Sequence, residues 1–149
     1  SDVCSSDLAK GRRLQQRVAS DIQMAFPCLN SDDVRSVSMG CSGEDVLLSQ
    51  QARMCFPYSI ECKNTERLAI WSAIEQCSQN SGKYTPLVIF KKNHSDIYAV
   101  LPWKALLDLV TQTRTAGSPS MNSRKRRRVC ELLAEATQLM NEDDDNMSE

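Results

Sequence analysis

Asp45, Glu61 and Lys63 are the residues whose types and spacing could carry chemistry in this chain. Glu61 and Lys63 stand two apart inside "YSIECK", residues 58–63, an apolar run that reads as a strand. Side chains alternate along a strand, so Tyr58, Ile60 and Cys62 face one way while Ser59, Glu61 and Lys63 face the other. Same-face neighbours lie about 6.5–7 Å apart, close enough to act on one bound group. Asp45 opens the preceding strand, and a hairpin-like pairing would bring its carboxylate beside Glu61. Two carboxylates that close repel unless something positive lies between them. A divalent cation is one answer, since oxygen ligands from Asp45, Glu61 and the backbone carbonyl of Cys62 suit Mg2+. Such an ion acidifies a bound water and stabilises charge developing on a phosphate. Lys63 would orient or deprotonate that water and hold a phosphate oxygen. The competing explanation is a Glu61–Lys63 pair on a solvated sheet face, with Asp45 a turn residue.

The flanking sequence supplies elements to hold these residues. Leu14, Val18, Ile22 and Phe26 recur at helical spacing over Lys10–Phe26, which Pro27 and the Asn30–Asp33 cluster end. Val34–Met39 alternates as a strand, "GCSG" (40–43) is a turn, and "DVLLS" (45–49) is a second strand before Tyr58–Lys63. A helix over Thr65–Asn80 follows, with Asn64 as N-cap and Gly82 as its stop. "PLVIF" (86–90) reads as a strand covered on both faces, "IYAVL" (97–101) as another strand, and Pro102 suits the first turn of a further helix. This order predicts a layered α/β domain around a mixed five-stranded sheet flanked by helices.

With 149 residues, 41% of them hydrophobic, the chain suits one core domain. We expect a core over 10–110, a linker over 111–123, a basic amphipathic helix over 124–141 and an acidic tail over 142–149. Residues 1–8, "SDVCSSDL", resemble translated adapter sequence, so 1–9 are read as a non-native leader. No apolar stretch is long enough to span a membrane, and a soluble cytoplasmic protein is expected. The seven cysteines are scattered with no CxxC pair, which points to reduced, buried thiols and against a zinc site.

Asp45 followed by "IECK" (60–63), with a helix before and a helix and apolar strand after, resembles the core of the PD-(D/E)xK nuclease superfamily. The likeness is greatest to archaeal-type Holliday junction resolvases and related phage endonucleases. It rests also on Lys10–Gly11 before the first helix, the turn "GCSGED" (40–45) and "PLVIFKKN" (86–93). The resemblance implies a restriction-endonuclease-like three-layer fold and metal ligation by Asp45 and Glu61. It further implies Lys63 as the third catalytic member and Ser42 near the scissile phosphate. Glu44 stands where proline often precedes the aspartate. Gln15 stands at the acidic position of the first helix, where its carbonyl oxygen offers a ligand without a charge. Mg2+ is the implied cofactor, with Mn2+ as a substitute. Branched DNA is the implied substrate, and paired symmetric cuts imply a homodimer.

Other features are weaker. Lys10, Arg12, Arg13, Arg17, Lys91 and Lys92, with the run Arg124, Lys125, Arg126, Arg127 and Arg128, are candidate DNA-backbone contacts. Each is by itself an ordinary solvated side chain. His94 fits the surface better than a metal site, and Glu75 or Gln76 could point back at the strand from the next helix. A general or end-processing nuclease of the same core, an inactive branched-DNA-binding protein and a basic interaction protein remain alternatives.

Overall fold

Leu14, Val18 and Ile22 return to one side of a helix at each turn, and burying that stripe seats the first element on the sheet. The computed structural model describes residues 2–37, 43–114, 125, 127–136 and 138. Its elements run α1 (Asp2–Ala25), β1 (Val34–Ser36), β2 (Val46–Leu48), α2 (Gln50–Cys55), β3 (Tyr58–Asn64), α3 (Ile70–Ser81), β4 (Thr85–Lys91), β5 (Tyr98–Val100) and α4 (Trp103–Arg114). The fold is α/β, with one mixed five-stranded sheet in the order β1-β2-β3-β4-β5. Among the described residues only β3 and β4 pair in parallel, over the full register Tyr58↔Thr85 to Asn64↔Lys91; the other neighbours are antiparallel. A parallel pair needs a crossover, and α3 supplies it.

The pleat of β3 divides the core in two. Ile60 and Cys62 lie with Leu14, Val18 and Ile22 of α1 and with Leu87. Val88, in register with Glu61, lies with Ala73 and Cys77 of α3 on the other face. Helices therefore cover both faces of the sheet. Gly82 closes α3 with φ 55°, a left-handed stop that suits glycine.

Several boundaries differ from those read in the sequence. α1 begins well before Lys10, within the proposed leader, where residues 6–9 are exposed. α3 begins at Ile70 rather than Thr65; its cap position is Ala69, with no side-chain cap. Asn64 instead ends β3 and donates to the Lys10 carbonyl, tying the strand to α1. α4 continues to Arg114, into the expected linker; residues 115–123 and 139–149 lie outside the described residues. α2 is the element the hydrophobic pattern did not announce. Its signal was the cap: Ser49 Oγ accepts the Ala52 N–H and donates to Asp33 at 2.6 Å.

The cysteines depart furthest from expectation. Cys62 and Cys77 are buried free thiols, but Cys55 and Cys130 are joined as a disulfide across 75 residues of sequence. No helix is long and apolar enough to cross a membrane among the described residues.

Candidate active site

Asp45 sits at the head of β2, and both neighbouring strands hold its backbone. Its N–H donates to Ile60 at 3.0 Å, and its carbonyl accepts from Val37 at 2.9 Å. The two preceding residues are also fixed. Asn80 on α3 donates to the Gly43 carbonyl at 3.0 Å, and Gly43 takes φ 119°, which a side chain would resist. Arg53 on α2 pairs with Glu44 through one guanidinium nitrogen and donates to the Tyr58 carbonyl through another, at 2.7 Å. Its guanidinium also lies 4.1 Å from the centre of the Tyr84 ring. Glu44 therefore serves as the anchor by which α2 and β3 position the next residue. Arg53 and Asn80 carry this support and were not singled out in the sequence, because neither stands near Asp45 along the chain.

Antiparallel pairing of Val46 with Ile60 brings Asp45 to the middle of β3. Asp45 Oδ2 accepts the Cys62 N–H at 2.7 Å, and the side chain of Gln15 donates to the same carboxylate. Glu61 is 2% exposed, which for a charged residue demands a partner. Lys63 Nζ is that partner, 2.7 Å from Glu61 Oε1, and it also donates to Gln76 Oε1 at 3.0 Å. Glu61 and Lys63 thus share the α3 face as alternation requires, and of the two candidates on α3 it is Gln76 that touches Lys63. The exposed-pair explanation fails at Glu61, which is buried.

The electrostatics describe a site short of positive charge. Burial pushes the Asp45 carboxyl above its ordinary range, against the Cys62 N–H and the Lys63 charge. Burial does the same at Glu61; Lys63 opposes it, and the nearby Asp45 charge adds to the rise. One ammonium against a buried and a half-buried carboxylate leaves a net negative centre. Among the described residues, the buried side-chain atoms without a hydrogen-bond partner are Gln15 Oε1 and Ser59 Oγ. Gln15 is 7% exposed, and its amide nitrogen is already on Asp45, so its carbonyl oxygen is the unused half of a fixed group. Two carboxylates and an orphaned amide oxygen form a hard-oxygen donor set, and the residues fit a divalent cation of the Mg2+ class. Asp45, Glu61 and Gln15 are the side chains that would hold it; the Cys62 backbone adds its N–H to Asp45 in the same place.

The remaining candidates distribute around this centre unevenly. Lys10, Arg12, Arg13 and Arg17 lie on α1 with Gln15. Arg12 and Arg13 are exposed, while Lys10 and Arg17 are paired with Asp7 and Asp21. Lys91 ends β4 and Lys92 is exposed beyond it; His94, at the exposed turn, has φ 57°. Lys125, Arg127 and Arg128 are exposed on a helical segment, with Arg128 3.4 Å from Glu131. Ser42, Arg124 and Arg126 lie outside the described residues. No protein-family model, curated protein or solved structure matches the chain.

Proposed function

We propose that this chain is a metal-dependent endodeoxyribonuclease of the PD-(D/E)xK type that hydrolyses phosphodiester bonds in branched DNA. The observation that carries the reading is that Asp45, held by the Cys62 N–H and by Gln15 with its orphaned oxygen, lies within electrostatic reach of the buried Glu61–Lys63 pair. The element order also favours it. A helix, two strands, the short α2, the strand β3, a crossover helix and a parallel strand carry those residues on α1, at the head of β2 and on β3.

When bound, Mg2+ supplies an acidified water and positive charge opposite the phosphate. The protein's own contribution is positioning. Asp45 is held by the Cys62 N–H and by Gln15, so its carboxylate keeps one orientation. Lys63 uses two of its three N–H donors on Glu61 and Gln76, and the third is available to a phosphate oxygen or the attacking water. The exposed basic residues of α1 and of the β4–β5 turn supply backbone attraction that ignores sequence. A homodimer accounts for paired cuts. The surface suited to it is α4, where Trp103 is 70% exposed beside the exposed Leu106 and Leu107.

The test is cleavage of a labelled four-way junction, a linear duplex and a plasmid in Mg2+, Mn2+ or EDTA. Symmetric nicks near the branch point, lost in EDTA and in both Asp45→Asn and Lys63→Ala, are expected. Cleavage of linear duplex at equal rate would move the proposal to a general nuclease. Junction binding without cutting, indifferent to EDTA, would replace it with a binding module.

A further inference from the structure

Cys28, Cys55 and Cys130 come from three separate parts of the chain, yet their sulfur atoms all lie within 4.8 Å of one another. They meet beside the apolar cluster under α1, where Cys28 and Cys55 pack against the core and Cys130 is fully buried. The Cys55–Cys130 bond joins backbones whose Cα atoms are 7.4 Å apart. Disulfides ordinarily span about 4.4–6.8 Å, so this pair stands wider than a dedicated crosslink needs. A crosslink also has no use for a third thiol. Three sulfurs converging from three backbones match what a soft-ligand tetrahedral ion requires of a protein.

We propose that Cys28, Cys55 and Cys130 form a thiolate site for Zn2+ in the reduced chain, and that the Cys55–Cys130 disulfide is the oxidised, metal-free form of the same cluster. Three thiolates on Zn2+ carry a net charge of −1. Arg127, whose charge acts at Cys28, offsets it, and water would complete the fourth vertex. The site is structural. It lies beyond the start of β3, and α1 alone separates Gln15 from Ala25 by about 15 Å of helix rise. Its effect is to pin the helical residues 127–136, with the exposed Arg127 and Arg128, onto the core. Oxidation requires a small-molecule disulfide. One S–S bond of the oxidant breaks, one forms between Cys55 and Cys130, two thiolates leave, and Zn2+ is released with Cys28 free.

The full chain, reduced with a phosphine and desalted, is titrated with Co2+ and then Zn2+. An intense thiolate-to-cobalt absorption band that saturates at one thiolate-bound Co2+ per chain is expected, and Zn2+ should abolish it. Ion bound at the oxygen site around Asp45 has no thiolate and gives no such band. Cys28→Ser should weaken the band-forming affinity at least about tenfold. Wild-type protein provides a second readout that needs no variant. Zn2+ should protect Cys28, Cys55 and Cys130 from alkylation together, and a small disulfide should release the ion and remove two hydrogens from the chain mass. Absence of the band in reduced wild type, alkylation of the three thiols regardless of Zn2+, or unchanged binding in Cys28→Ser would each overturn the proposal. None of these readouts depends on nuclease activity.

Discussion

On the α1 side of β3, Ile60 and Cys62 lie among Leu14, Val18 and Leu87; on the α3 side, Ser59, Glu61 and Lys63 lie by Ala73, Cys77 and Gln76. The two sides alternate residue by residue along one strand. The first is an apolar seam between a helix and a sheet, and its burial holds the strand in place. The second buries a carboxylate and leaves Ser59 Oγ without a partner, while Gln15 Oε1 is orphaned at Asp45 on the α1 side. Such burial costs stability, and chemistry is what would repay it. The contrast teaches that β3 is seated by one face so that the other can be held in an unfavourable arrangement.

Four measurements break or sharpen that contrast, and the largest effect falls on activity. Lys63→Ala should lower cleavage by about 10²–10⁴-fold. The variant also leaves the buried Glu61 without its partner, so a lower melting temperature is expected as well, and cleavage is read well below that temperature. A collapse of the fold instead would make Lys63 a structural residue. Ile60→Ala acts on the opposite face and should cost about 2–5 kcal/mol of stability through the lost contacts and the cavity left behind. Urea denaturation reads this, and a loss under 1 kcal/mol would show that the seam is not what holds β3.

Gln15 tests the ion more finely. Gln15→Ala should raise the Mg2+ concentration for half-maximal cleavage about tenfold, whereas Gln15→Glu should lower it. If both variants match wild type, the orphaned oxygen is not a ligand. The smallest effect is a pH slope in stability. Asp45 and Glu61 have folded-state values raised above their unfolded ones. Their contribution is therefore present below the ordinary carboxylate range and is lost as pH rises through the raised values. Metal-free protein should be more stable at mildly acid pH than at neutral pH by this amount. Mg2+ at neutral pH should restore the loss, and Asp45→Asn should flatten the slope. Calorimetry across that window checks the sign.

Much of this site was legible because it is local. "IECK" places Glu61 and Lys63 on one face through the pleat alone, and the glycine-bearing turn before Asp45 marks the head of a strand. Gln15 could be named from its place in the first helix, although its orphaned oxygen could not. Gln76 was one of two candidates until the rotation of α3 chose between them. Arg53, Asn80 and α2 were missed because each contributes through a contact far along the chain. A six-residue helix also has too few turns to show a period.

Periodicity and residue type determined the α/β class, the order of the elements apart from α2, and the face on which Glu61 meets Lys63. They could do so because hydrophobic spacing and strand alternation act over a few residues and are written in the chain itself. Tertiary structure decided which distant groups share a point: Gln15 with Asp45, Arg53 with Glu44, and Cys28 with Cys55 and Cys130. Those meetings depend on how α1, α2 and the helical residues 127–136 pack on the sheet. Packing is set by the summed burial of many side chains, and no local spacing records it.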